Sequence, residues 1–326
     1  MSAPVNIKAS SPLPPLDRPK LHKPIIMRDE PLTPPAIMLL GDVGAGKTHC
    51  IISALKKGLE VFVIITENTG VETLLDACRK EKVSVERLHW KRCTPTQQGW
   101  NVMKEQAKLT NSLHAGEIQE LKAGLERFKY PAFIKLLETC ENFICDRTKE
   151  SFGDVMTWGD NRLLTLDSMS GLNEIVSSHV TGHRITMTQP EFGIVQNHIY
   201  QLCNTLCGLN CYFMVTGHIE LESDEAKGIT KLMLSTVGRK LAPKLPRIFS
   251  EVVLAKVDNG KYIWSTDDSK VITKNRALPR GIMPADFGIL VDIYERRKLE
   301  AQEELKNGGL VTNPLSPGIS ATISIE

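Results

Sequence analysis

One octapeptide constrains this chain more than any other stretch. Gly41-Asp42-Val43-Gly44-Ala45-Gly46-Lys47-Thr48 fits the pattern G-x-x-x-x-G-K-[ST]. An apolar run, Ala36 to Leu40, precedes it, and apolar residues at helical spacing (Ile51, Ile52, Ala54, Leu55) follow it, so the local order is strand, loop, helix. Glycines let successive backbone N–H groups turn toward one anion, and a helix starting there aims the positive end of its dipole at the same point. In such a loop Lys47 reaches the β and γ phosphates of a nucleotide and the Thr48 hydroxyl holds Mg²⁺. The candidate phosphate-binding set is therefore Gly41 to Thr48, with His49 next on the helix.

The chain of 326 residues is long enough for one large α/β domain or two smaller ones, and its 41% hydrophobic and 24% charged content is that of a soluble globular protein. A formal charge of +2 does not decide between partners. There is neither a run of some eighteen apolar residues nor a basic-then-apolar leader, so the expectation is a cytoplasmic protein that does not span a membrane. The cysteines then read as reduced thiols, and Cys203, Cys207 and Cys211, at helical spacing with no C-x-x-C pair, as core residues.

Residues 1 to 35 are proline-rich without a periodic apolar face and read as a flexible arm; 301 to 326 read as a flexible tail. Between them, 36 to 300 form the expected domain. Val61 to Ile65 is a strand covered on both faces, ending in Thr66-Glu67-Asn68. An acidic residue there lies at the carboxyl edge of a parallel sheet, where ligands bind, so Glu67 either orients an attacking water or caps the helix that follows. A helical insertion is expected over about 97–152, with stripes at Ile118, Leu121, Leu125 and Phe128 and again from Phe133 to Cys140. The next strand, Leu163 to Leu166, ends in Asp167, a carboxylate suited to the Mg²⁺ beside Thr48.

Residues 177 to 197 read as a polar loop, followed by a helix from Val195 to Cys207. The strand Cys211 to Val215 ends in Thr216-Gly217-His218; if parallel, it brings His218 to the same edge, where its side chain senses the γ-phosphate or stands as a solvated loop residue. A second, acidic loop is expected over 219–231. A basic cluster follows, Arg239, Lys240, Lys244 and Arg247, either a phosphate-pairing face or plain surface. Asp258-Asn259-Gly260 joins a C-terminal β-hairpin.

In this order, GDVGAGKT, FVIITEN, LLTLDSMSGL, YFMVTGH and ITKNRALP resemble the ATPase core of the RecA-like recombinases over roughly residues 36 to 290. Within it, Asp154 to Phe287, with STVGRKLAPKLP and WSTDDSKVITKNR, looks most like the short RecA-like ATPases of bacteriophages, some of which assist single-strand annealing and recombination. The resemblance implies an α/β fold with a RecA-like P-loop NTPase core: a mostly parallel central sheet flanked by helices. It implies ATP and Mg²⁺ as ligands, Glu67 as the water-polarising group, and Lys274 and Arg276 as basic residues acting across a subunit boundary in a homo-oligomer. DNA is the implied partner, single-stranded before duplex, together with a single-strand-binding protein, in the host cytoplasm if the gene is a phage's.

Two features depart from that family. His218 stands where recombinases carry glutamine, and a histidine titrates near neutral pH. The following segment is acidic and short of aromatic residues, which is poor chemistry for holding DNA. Two rival functions share the loop: a DNA motor or loader for packaging or replication, and a kinase or nucleotide-dependent switch. A kinase requires an arginine-bearing lid, for which the insertion offers Arg127 and Arg147.

Overall fold

The computed structural model describes residues 32–68, 70–114, 117, 129–182, 184, 186–224 and 229–306. The arm up to residue 31, the stripe over 118–128 with Arg127, and the tail from 307 lie outside the described residues. Ten strands and seven α-helices are described. They run β1 (Ala36–Leu40), α1 (Lys47–Lys56), β2 (Glu60–Ile65), α2 (Gly70–Glu81), β3 (Leu88–Arg92), α3 (Trp100–Ser112), α4 (Ala132–Glu141), β4 (Arg162–Asp167), α5 (Met169–Thr181), α6 (Gln189–Cys207), β5 (Tyr212–Gly217), β6 (Ile219–Asp224), β7 (Ile229–Leu234), β8 (Glu251–Asp258), β9 (Lys261–Ser265), β10 (Ile282–Pro284) and α7 (Phe287–Lys306).

The central sheet has the order β10-β9-β8-β1-β5-β4-β2-β3, parallel from β8 to β3, with β9 and β10 added antiparallel. Both faces are covered, so the parallel strands are apolar nearly throughout. Met38, Phe62, Ile64, Phe213 and Val215 pack toward α4, α5 and α6. Their alternates Ile37, Leu39, Val61, Val63, Tyr212 and Met214 pack toward α1, α2 and α7. A slip of one residue would exchange these two sets, so burial on both sides pins the register.

Several boundaries differ from the sequence reading. Helix α5 runs to Thr181 and α6 starts at Gln189, which leaves only residues 182–188 of the expected loop. The early start of α6 is set by Thr188 and Glu191, which cap each other's backbone N–H, with Pro190 in the first turn. The acidic segment after His218 is a two-stranded antiparallel sheet, β6 with β7, in place of a loop. The strand β3 breaks the stretch before the insertion, and the helical part of the insertion ends at Glu141; the segment after it makes a bridge between Ile144 and Ser151. Helix α7 continues to Lys306, into the expected tail.

The edge strand β3 is covered by the residues after α4. Asp146 receives the Arg92 N–H at 2.8 Å, and the Arg147 guanidinium donates to the carbonyls of Val85, Glu86 and Leu88. Covered edges do not template further pairing. Arg147 is thereby engaged at this edge. The hairpin β8–β9 is as expected from its turn: Asn259 and Gly260 both have positive φ, 47° and 75°. All eight cysteines are free. No helix among the described residues is long and apolar enough to cross a membrane.

At the amino end of β8, the fully buried Glu251 carboxylate accepts the backbone N–H groups of Arg276, Ala277 and Leu278. Burial raises its pKa against the opposing pull of these N–H groups. Glu251→Ala leaves three donors without their acceptor and is expected to cost about 3 kcal/mol of stability, whereas Glu251→Gln, which keeps an acceptor, costs less than about 1 kcal/mol. Urea unfolding of the two variants checks this.

Candidate functional site

The parallel register brings the strand ends to one edge. Leu40 lies level with Gly217 and with Leu254, and Ile65 with Asp167. Gly41 and His218 directly beyond their strands, and Glu67 one residue further beyond its own, therefore emerge at this one edge on either side of Asp167. The Gly41 N–H donates to the Gly217 carbonyl at 3.1 Å, and the Thr66 N–H to the Asp167 carbonyl at 2.9 Å, so the backbone links these ends directly.

The loop from Gly41 enters α1 through Gly44 and Gly46, whose φ values of 78° and 85° are open to glycine at little cost. Gly46 has a second reason to lack a side chain. A Cβ there would lie 2.4 Å from the Tyr262 ring, which reaches over the loop from β9 and packs on His49 with ring centroids 4.9 Å apart.

Around this loop is a cavity of about 470 Å³. Lys47, Thr48, Glu67, Asp167 and His218 all line it, with Val43, Gly44, Gly46, His49, Ser168 and Tyr262. Its far wall is the α2 face bearing Thr73, Asp76 and Lys80. Of the sequence candidates, Gly41, Asp42 and Ala45 complete the loop without lining the cavity, and Asp42 is exposed.

Lys47 is mostly buried, and its ammonium donates to the carbonyls of Gly41 and Asp42, each at 2.9 Å, and lies 3.4 Å from His218 Nδ1. Burial lowers its pKa, while Asp167, Glu67 and Asp42 oppose that shift. Asp167 accepts from the Thr216 hydroxyl; burial raises its pKa, Thr216 and Lys47 pull it down, and Glu67 pushes it further up. Glu67 accepts from the Ser168 hydroxyl, which binds it to the end of the neighbouring strand. The Asp167–Ser168 peptide is cis. Asp167 and Thr48 on one cavity are a hard oxygen pair of the kind that suits Mg²⁺, which keeps several waters and takes its remaining ligands from phosphates.

Lys274 and Arg276 are elsewhere. Val252 and Lys274 exchange backbone hydrogen bonds at the amino end of β8, the sheet edge opposite the loop. The Lys274 ammonium donates to the carbonyls of Arg247 and Phe249, at 3.0 and 2.6 Å, and Arg276 is exposed. Neither lines the cavity of its own chain.

The sequence reading missed three contributors: Tyr262, Thr216 and the polar face of α2. Thr216 stands next to a named candidate, between a buried strand and Gly217-His218. Tyr262 and the α2 face carry no local signal, because only the tertiary fold brings them to the loop.

A scan against models of known protein families gives no match for this chain, and a search of curated proteins gives none either.

The raised pKa of Asp167 yields a stability prediction. A carboxyl whose folded value exceeds its unfolded value binds more protons when folded, so stability falls as pH rises between the two values, and the ionised group costs stability at neutral pH. Asp167→Asn keeps an acceptor for Thr216. It is expected to raise the melting temperature at neutral pH, with the gain vanishing below the ordinary carboxylate range. Thermal unfolding across pH measures the effect.

Proposed function

We propose that this protein is a Mg²⁺-dependent ATPase with a RecA-like P-loop NTPase core, acting on DNA. The observation that carries the reading is the convergence of Lys47, Thr48, Asp167, Glu67 and His218 on one cavity beside a glycine-rich loop that opens a helix. Phosphate oxygens accept from the loop N–H groups and from the α1 N-terminus. Lys47, now held by two carbonyls of its own loop, turns to the β and γ phosphates; a desolvated ammonium gains more from that anion than a hydrated one. Thr48 and Asp167 hold Mg²⁺, which neutralises charge on the phosphates when bound.

Glu67, oriented by Ser168, positions a water in line with the γ-phosphorus and takes its proton as the new P–O bond forms and the β,γ bond breaks, releasing ADP and phosphate. His218 Nδ1 stands 3.4 Å from the Lys47 ammonium on the same cavity, the position from which its side chain senses the γ-phosphate. Tyr262 and His49 offer aromatic faces next to the loop.

Support for DNA as the partner comes from the motif order shared with RecA-like recombinases. Because Arg276 is exposed at the edge opposite its own loop, it serves the reaction only from a neighbouring chain, stacked so that unlike edges meet. Lys274 is already engaged by carbonyls, which leaves Arg276 as the cation available for that role.

Phosphate release from ATP, measured with single-stranded DNA, duplex DNA and neither, over a range of protein concentrations, tests the proposal. The expected result is hydrolysis stimulated most by single strands, with specific activity rising with protein concentration. Lys47→Ala abolishes turnover, and Glu67→Gln retains ATP while slowing turnover ~100-fold or more. Preference for duplex points to a motor or loader, and phosphate appearing on a metabolite points to a kinase. Normal turnover by Glu67→Gln removes the glutamate from the mechanism.

A further inference from the structure

Away from the nucleotide cavity, a cleft of about 610 Å³ opens between α4 and α6. Its floor is apolar, built by Phe133, Leu137, Leu202 and Leu206. At its mouth Ile134 and Met156 are 43% and 58% exposed, and the acidic side chains of Glu141 and Asp154 stand among the lining residues. An apolar floor with exposed apolar residues at the mouth is the form of a surface that lacks its partner.

The same chain carries a surface of matching form. Helix α3 buries none of its residues. Trp100, 80% exposed, and Met103, 47% exposed, stand three residues apart, and Ala107 continues that stripe a turn later. Lys104 and Lys108, four and eight residues after Trp100, flank the stripe on one side. Lys108 pairs with Glu105 at 3.1 Å, but both groups are exposed, and such a pair gives way readily to another carboxylate.

We propose that α3 of a second copy of this chain docks in the α4–α6 cleft. Trp100 and Met103 enter the apolar floor, and Lys104 and Lys108 meet Glu141 and Asp154. A tryptophan 80% exposed is a costly surface for one chain to keep, and a large anchor in a desolvated pocket is the usual centre of binding energy. A second copy is the occupant because both halves, apolar stripe with cations and apolar floor with carboxylates, belong to this sequence. The two surfaces differ, so the contact is head to tail and repeats into a ring or an open filament. It is independent of the nucleotide reading, because none of these residues lines that cavity.

Sedimentation velocity of the full chain over a wide concentration range, without nucleotide or DNA, tests the proposal. Wild-type mass is expected to rise with concentration. Trp100→Ser, which spoils only the helix, and Ile134→Glu, which spoils only the cleft, each weaken assembly about tenfold or more. Both positions are exposed, so melting temperatures are unchanged; Glu141→Lys provides a second cleft variant at an exposed rim position. An equimolar mixture of a helix variant and a cleft variant retains one intact contact and forms a dimer and nothing larger. A wild-type chain that stays monomeric, assembly that survives substitution of either surface, or a mixture that stays monomeric overturns the proposal.

Discussion

The parallel register of four adjacent strands, β1, β5, β4 and β2, is the constraint on which the site depends. Each is buried on both faces, so none can shift by one residue without exchanging its two packing partners. Full burial of a single large apolar side chain is worth about 1.5–3 kcal/mol, and each of these strands carries several. The strand ends are thus fixed by the core, and the polar residues just beyond them inherit that precision. Gly41, Glu67, Asp167 and His218 are brought together by groups that never touch a ligand.

That arrangement puts charge where the core would not choose it. Burial disfavours the ionised forms of both Lys47 and Asp167, and each is held by the other's field and by nearby polar groups. Two loop carbonyls occupy the lysine and one hydroxyl occupies the aspartate. A polyanion with a divalent cation would relieve both groups together. The opposite edge has the reverse design: Glu251 sits in a closed set of backbone N–H groups and serves the fold.

How much was legible in the sequence depended on whether the signal was local. The glycine-rich loop between strand and helix, the buried strands around it and the Asn-Gly turn each rest on neighbouring residues, and all appear where the sequence places them. Strand β3 was not read, because Leu88-His89-Trp90-Lys91-Arg92 mixes apolar and basic residues, as an edge strand can. The start of α6 lay hidden in a polar stretch whose capping pair, Thr188 and Glu191, resembles a loop when only polarity is considered. Acidic residues likewise disguised β6, whose pairing with β7 is a contact between segments rather than a local pattern. Tyr262 was beyond reach, since its place over the loop depends on how the hairpin lies on the folded sheet.

Tyr262 has one more implication. The ring sits where any side chain at position 46 would go, so the loop and the hairpin are mutually keyed. Two residues separate Tyr262 from Asn259 of the turn, and the paired rungs from Leu254 to Val257 set how far the ring projects. The hairpin therefore works as a ruler. Adding two rungs between the sheet and the Val257–Tyr262 pair would carry the aromatic past the helix start, and the glycine-rich loop would lose its roof while every one of its own residues stayed the same.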